Sequence, residues 1–223
     1  MLPIILERMR NEITRVTAVK TFGHISSAKL DVQLTAPLPS GATVVQAVLA
    51  ELCTFLRKSN RPLRQAALVT LELILRSPYA SSIPDVDVAG ALQELSSLVT
   101  DADLHVAHLA LVLARTIVST KPVQMAAPIK DVLLPRTLSL LTSSVLQGVA
   151  LRSLLAFFSH LVACDVPGLT FDAITTMLLS LLAPPSASST LSRHALSTVS
   201  QAVAACCVRA PAETVDGMVS SFL

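Results

Sequence analysis

The chain has 223 residues, of which 52% are hydrophobic and only 14% charged, with a net charge of +2. Globular domains usually carry about 25% charged residues, so a large apolar interior is expected. The mild charge is too small to indicate nucleic acid, and six Phe, one Tyr and no Trp leave no stacking platform for single strands. Six glycines are few for a chain built on tight β-turns.

In chain order, "LPIILERMR" predicts a short helix that reads as truncated, and "RNEITRVTAVKTF" a second with Ile13 and Val16 on its apolar face. "MLPIIL" is too short for a signal peptide and runs straight into Glu7 and Arg8. After the insertion "SSAKLDVQLTAPLPSGA" comes the helical run "TVVQAVLAELCTFL". "NRPLRQAALVTLELIL" follows, with Leu63, Ala66, Ala67, Thr70, Leu71 and Ile74 on one continuous face. Asn60 is its expected cap, Pro62 fits its first turn, and Glu72 pairs with Arg76.

The same two-helix pattern then recurs. "VAGALQELSSLV" precedes "DADLHVAHLALVLARTIV", and "APIKDVLLPRTLSLL" precedes "SSVLQGVALRSLLAFF". "FDAITTMLLSLLA" precedes "STLSRHALSTVSQAVAACC". Equivalent positions are Leu63, then Leu104 with Ala107, then Leu146 with Val149, Ala150 and Leu154, then Leu191 with Ala195 and Val199. The four leucines stand 41, 42 and 45 residues apart. That period belongs to HEAT and armadillo arrays. Small residues suit the inner helix of such a stack, because they let the neighbouring helix approach closely.

The expected fold is therefore an all-α, HEAT/armadillo-type α-solenoid of antiparallel helix pairs. Its approximate units are 1-28, 41-77, 85-120, 122-163 and 168-209, with an incomplete unit at 210-223. Neither end reads as a closing repeat, so the chain is expected to be a fragment of a longer array. A membrane span needs about 20 apolar residues in a row. The best window, within Leu138–Ala163, contains Ser143, Ser144, Gln147, Arg152 and His160, so two buried helices joined by a turn describe it better.

No catalytic constellation emerges. GxGxxG, P-loop, GxSxG and HExxH patterns are absent. His105 and His108, with Asp101 and Asp103 upstream, lack the third ligand that zinc requires, so no metal and no cofactor is expected. His24, His160 and His194 read as isolated, partly buried residues. Cys53, Cys164, Cys206 and Cys207 form no CxxC and read as buried thiols in a reducing, intracellular compartment, cytoplasm and/or nucleus. One local charge cluster remains. Arg57, Lys58, Arg61 and Arg64 form a basic turn that either faces a protein partner or is simply solvated; the residues alone favour the second.

Several stretches carry a family likeness. "LPIILERMRNEITRVTAVKTF", "FLRKSNRPLRQAAL", "DADLHVAHLAL" and "VLQGVALRSLLAFFSHLV" resemble, in the same order and spacing, the cullin-associated and neddylation-dissociated proteins. The likeness covers a minor portion of a full family member, in the middle-to-C-terminal part of its superhelix. "TFGHISSAKLDVQ" and "APPSASSTLS" depart from the family, and Pro122–Pro135 is only loosely similar. The resemblance implies a non-catalytic scaffold that wraps an unmodified cullin and its RING partner, blocks neddylation and helps exchange substrate-receptor modules of ubiquitin ligases. It implies a protein partner, a cullin–RING complex, and no nucleic acid, membrane or small-molecule substrate. The alternative is a HEAT adaptor for other cargo, such as a transport or phosphatase scaffold.

Overall fold

The computed structural model describes residues 2–28, 33–182 and 192–210, together with Val215. Among them are eleven α-helices and no strand; a lone bridge pairs Pro37 with Thr43. The first four are α1 (Leu2–Arg10), α2 (Arg15–Ser27), α3 (Val44–Leu56) and α4 (Arg61–Arg76). Then come α5 (Asp85–Ser96), α6 (Leu104–Thr120), α7 (Ala126–Pro128) and α8 (Leu134–Leu141). Last are α9 (Gly148–Ala163), α10 (Phe171–Ser180) and α11 (Arg193–Cys207).

Side-chain caps start most of the longer helices. Thr43 Oγ1 accepts from Gln46 N at 3.3 Å, while Gln46 Oε1 accepts from Thr43 N at 2.8 Å, a reciprocal box at the head of α3. Asn60 Oδ1 accepts from Leu63 N at 2.9 Å, with Pro62 in the first turn of α4. Asp103 caps α6 through Val106 N, Thr170 caps α10 and Ser192 caps α11. Each cap satisfies an N–H that the first helical turn leaves without a partner.

The helices fall into two layers. α2, α4, α6, α9 and α11 follow one another side by side, each in extensive contact with the next. α1, α3, α5 and the α7–α8 segment form the outer row, with sparser contacts between neighbours. In a curved stack the more closely spaced row lies on the inside, so the array curves with α2–α4–α6–α9–α11 lining the concave side. This is an all-α HEAT/armadillo-type solenoid.

Small side chains permit the close inner spacing. Ala67, Ala107, Ala110, Ala114 and Ala202 are fully buried, and Ala66 and Ala150 nearly so. At Gly23, a Cβ would meet Thr70 Oγ1 at 3.0 Å and Leu73 Cδ1 at 3.1 Å, so α2 and α4 nearly touch at the backbone. Thr70 Oγ1 donates to Val19 O at 3.1 Å there, tying the two helices. The larger core is aliphatic, with Phe22, Phe157 and Phe158 its bulkiest buried members.

The α7–α8 segment is irregular. Ile129–Leu133 forms a π turn, and Leu134 N donates to Ile129 O. Pro135 follows, with no N–H to give and a ring that would clash with the carbonyl four residues earlier. The wider turn relieves both. The apolar window from Leu138 to Ala163 is interrupted: α8 ends at Leu141 and α9 starts at Gly148. A different helix, Asp101–Thr120, is long and apolar enough to cross a membrane by length and composition, and 50% of that window is buried inside the array.

Two core assignments are corrected. Ile13 is 93% exposed, because α2 starts only at Arg15 and Ile13 lies in the turn before it; Val19 and Phe22 carry that helix's buried face. Val149 is 48% exposed in the first turn of α9, while Leu146, Ala150 and Leu154 are buried as the spacing predicts. Leu191, the linker at 183–191 and the segment from Pro211 onward, apart from Val215, lie outside the described residues.

Candidate partner-binding surface

The basic turn joins α3 to α4, and the structure gives its four residues different fates. Arg57 makes a two-point ion pair with Glu94 of α5, its Nε donating to Oε2 at 2.8 Å. Arg61 makes another with Asp103, its Nη2 donating to Oδ1 at 3.0 Å and its Nε to Oδ2. Both are fork-to-carboxylate contacts, the geometry arginine favours. The Arg61 hydrogen bond holds the Asp103 carboxyl down at about 2, and the Arg57 hydrogen bond holds Glu94 below its usual value. Among the described residues Lys58 makes no ion pair and is exposed, whereas Arg64 is half-buried with its Nε lacking a hydrogen-bond partner. Two of the four cations thus tie successive repeats together, and Lys58 is the exposed one without a carboxylate.

This tie belongs to a series. Arg10 Nε donates to Glu51 Oε1 at 3.0 Å between α1 and α3, and Ser143 Oγ donates to Asp101 Oδ2 at 2.8 Å between consecutive inter-helix turns. Lys121 Nζ reaches both Ile83 O and Asp85 Oδ1. On the inner layer, His108 Nδ1 and Ser153 Oγ share a 2.6 Å hydrogen bond, as do Ser119 Oγ and His160 Nε2. Both cross from α6 to α9. Burial is the main reason that His108 and His160 sit below the usual imidazole value; His105 and Arg152 add to it for His108, and Arg115 and Arg209 for His160.

His108 and His160 are therefore structural. No group of three or more His, Cys, Asp or Glu among the described residues is placed to hold a metal ion. His160, which reads as isolated, meets Ser119 and also Cys164 Sγ at 3.4 Å. Burial raises Cys53 to about 11, with Glu94 adding to it, and raises Cys206 to about 12, with Cys207 adding to it. Burial also raises Cys164. Thiols held protonated in this way are poor nucleophiles.

The inner layer also carries a groove of about 430 Å³ across α2, α4 and α6. Lys20 and His24 come from α2, Val69 and Leu73 from α4, and His105 and Leu109 from α6. Sequence reading treats His24 and His105 separately; the fold brings them to one groove.

No protein-family model matches the chain. Curated relatives do. Cullin-associated NEDD8-dissociated protein 1 of Dictyostelium discoideum is 35% identical over 205 residues, covering 91% of this chain and 16% of its own length. The protein of the same name from Arabidopsis thaliana is 37% identical over 211 residues, covering 94% of this chain and 16% of its own length. The chain is related to one stretch of the cullin-associated NEDD8-dissociated family. A relative from Emericella nidulans described as the C-terminal part of such a protein is 30% identical over 155 residues, covering 68% of this chain and 14% of its own length. The chain thus spans about a sixth of the length of the family members it matches. Among solved structures, an engineered protein superposes with a TM-score of 0.63 at 17% identity, covering 98% of this chain and 86% of its own. A designed armadillo repeat protein in complex with a peptide gives 0.61 at 17%, covering 92% and 81%. These two share the solenoid fold with this chain.

Proposed function

We propose that this segment is part of a non-catalytic scaffold that associates with a cullin–RING ubiquitin ligase whose cullin is unmodified, hinders neddylation and helps exchange substrate receptors. The observation that carries the reading is the ordered match, over nearly the whole chain, to relatives named for cullin association and NEDD8 dissociation. The solenoid supports it physically. A long curved surface gains affinity by spreading modest contacts over a large partner, with no reacting group required. Buried, protonated thiols fit the reducing intracellular setting, cytoplasm and/or nucleus, that belongs to the same reading. In this reading the basic turn contributes through Lys58, since Arg57 and Arg61 already hold the neighbouring repeat.

The test is capture of a purified cullin–RING complex by the full-length protein that contains this segment, with the cullin unmodified or joined to NEDD8. The expected result is retention of the unmodified form and loss of the modified one. Equal capture of both, or of neither, removes the cullin reading and leaves a HEAT adaptor for another protein.

A further inference from the structure

The groove across the inner layer has a composition that selects its occupant. Its floor is apolar: Val69, Leu73 and Leu109 line it, and Val69 is 40% exposed. The floor is also sealed, because α2 and α4 close on each other at Gly23 and the Thr70 hydroxyl is spent on Val19 O. The rim is nitrogen-rich. Lys20 and His24 stand on one side and His105 on the other, and no Asp or Glu among the described residues lines the groove. Lys20 makes no ion pair among the described residues. The acidic residue nearest in sequence to His105 is Asp103, which caps α6 and is held by Arg61.

We infer that this groove docks an acidic amphipathic segment of a partner protein, its apolar side chains seated on Val69, Leu73 and Leu109 and its carboxylates set against Lys20, His24 and His105. Three features carry it. The volume of about 430 Å³ takes one or two large apolar side chains and falls in the range of small binding clefts. The rim offers donors and positive charge with no competing carboxylate among the described residues, so an acidic segment gains there and a basic one is repelled. α2 and α4 close at the backbone and α6 packs against α4, so the site is formed before the ligand arrives and little ordering is needed on the protein side. An amphipathic helix laid in a groove presents its anchors at i and i+4. Val69 and Leu73 lie at that spacing within the groove. The inference goes beyond the cullin reading and needs only a partner of this chemistry.

The experiment uses two fluorescein-labelled helical peptides with this protein, followed by anisotropy. One carries leucine at i and i+4 with glutamate at its other positions; the second is identical with lysine for glutamate. The acidic peptide is expected to bind at least about tenfold more tightly, with affinity falling as salt rises. Val69→Glu puts an unpaired charge on the apolar floor and is expected to abolish that binding. Lys20→Glu, at an exposed position, is expected to weaken it at least about fivefold and to flatten the salt dependence. Circular dichroism of both variants checks that the helices remain. Equal binding of the two peptides, preference for the lysine peptide, or no binding of either overturns the proposal. So does tight binding of the acidic peptide that neither variant alters, since it then binds elsewhere. Cullin capture is measured separately and can fail without touching this result.

Discussion

The junction of α4 with α6 and the junction of α6 with α9 lie one repeat apart in the same inner layer, yet different polar chemistry fastens them. Beside the first, Arg57–Glu94 and Arg61–Asp103 clamp the exposed rim with paired charges. At the second, the hydroxyls of Ser153 and Ser119 bond the imidazoles of His108 and His160. Buried aliphatic side chains and alanines stand in all three helices, with Phe157 and Phe158 added in α9. The period therefore sets where a polar link stands, while residue choice sets the conditions under which it holds.

Overpacking should strike both junctions alike. Ala67→Leu in α4 and Ala150→Leu in α9 force extra methylenes between helices that meet through small side chains, and each should cost about 1–3 kcal/mol in urea unfolding. If one variant melts like the original protein, the two junctions differ in packing as well as polarity. Next in size are the hydroxyls that bond from one helix to another. Thr198 Oγ1 donates to Leu141 O at 2.8 Å, and Thr70 Oγ1 to Val19 O at 3.1 Å. Thr198→Val and Thr70→Val should each lose about 1 kcal/mol, because a buried carbonyl forfeits that donor.

The pH responses should separate the junctions. His108 and His160 are held below their usual 6.5, so the unfolded chain binds their protons more readily. Their neutral forms support the fold above that value, and stability falls as the pH drops below it. Asp103 responds in the same direction in a lower window, through its charged form: its support is full above 3.8 and is lost as the pH falls toward about 2. Melting followed by circular dichroism should therefore fall by a few degrees between pH 7.5 and 5.5, and His108→Gln with His160→Gln should flatten that fall. Asp103→Asn should leave its slope intact. The smallest effect belongs to the exposed pairs. Glu94→Gln should lower the melting temperature slightly, and less so in high salt.

Much of this was legible in the sequence. The 41- and 42-residue steps from Leu63 to Leu104 and Leu146, the Asn60 cap, the Glu72–Arg76 pair and the buried face from Leu63 to Ile74 all follow from spacing and are present. Helix phase was less secure near helix starts, where Ile13 and Val149 keep the apolar period but lie in a turn or first turn open to solvent. The binding surface was the least legible. The turn Arg57–Arg64 reads as one basic cluster because its carboxylate partners stand 37 and 42 residues away. Charge alone along the chain cannot tell a cation used between repeats from one facing a partner. Looking for opposite charges one period apart would have paired Arg10 with Glu51 and Arg61 with Asp103.

Association with an unmodified cullin–RING complex is the proposed role of the solenoid, and its curved inner layer is the face we propose meets that partner. Hydrogen–deuterium exchange on the full-length protein, with and without an unmodified cullin–RING complex, tests it most directly. The account predicts added protection in peptides from α2, α4 and α6, with little change in α3 and α5. Unchanged exchange throughout residues 2–210, or protection confined to the outer helices, would contradict it.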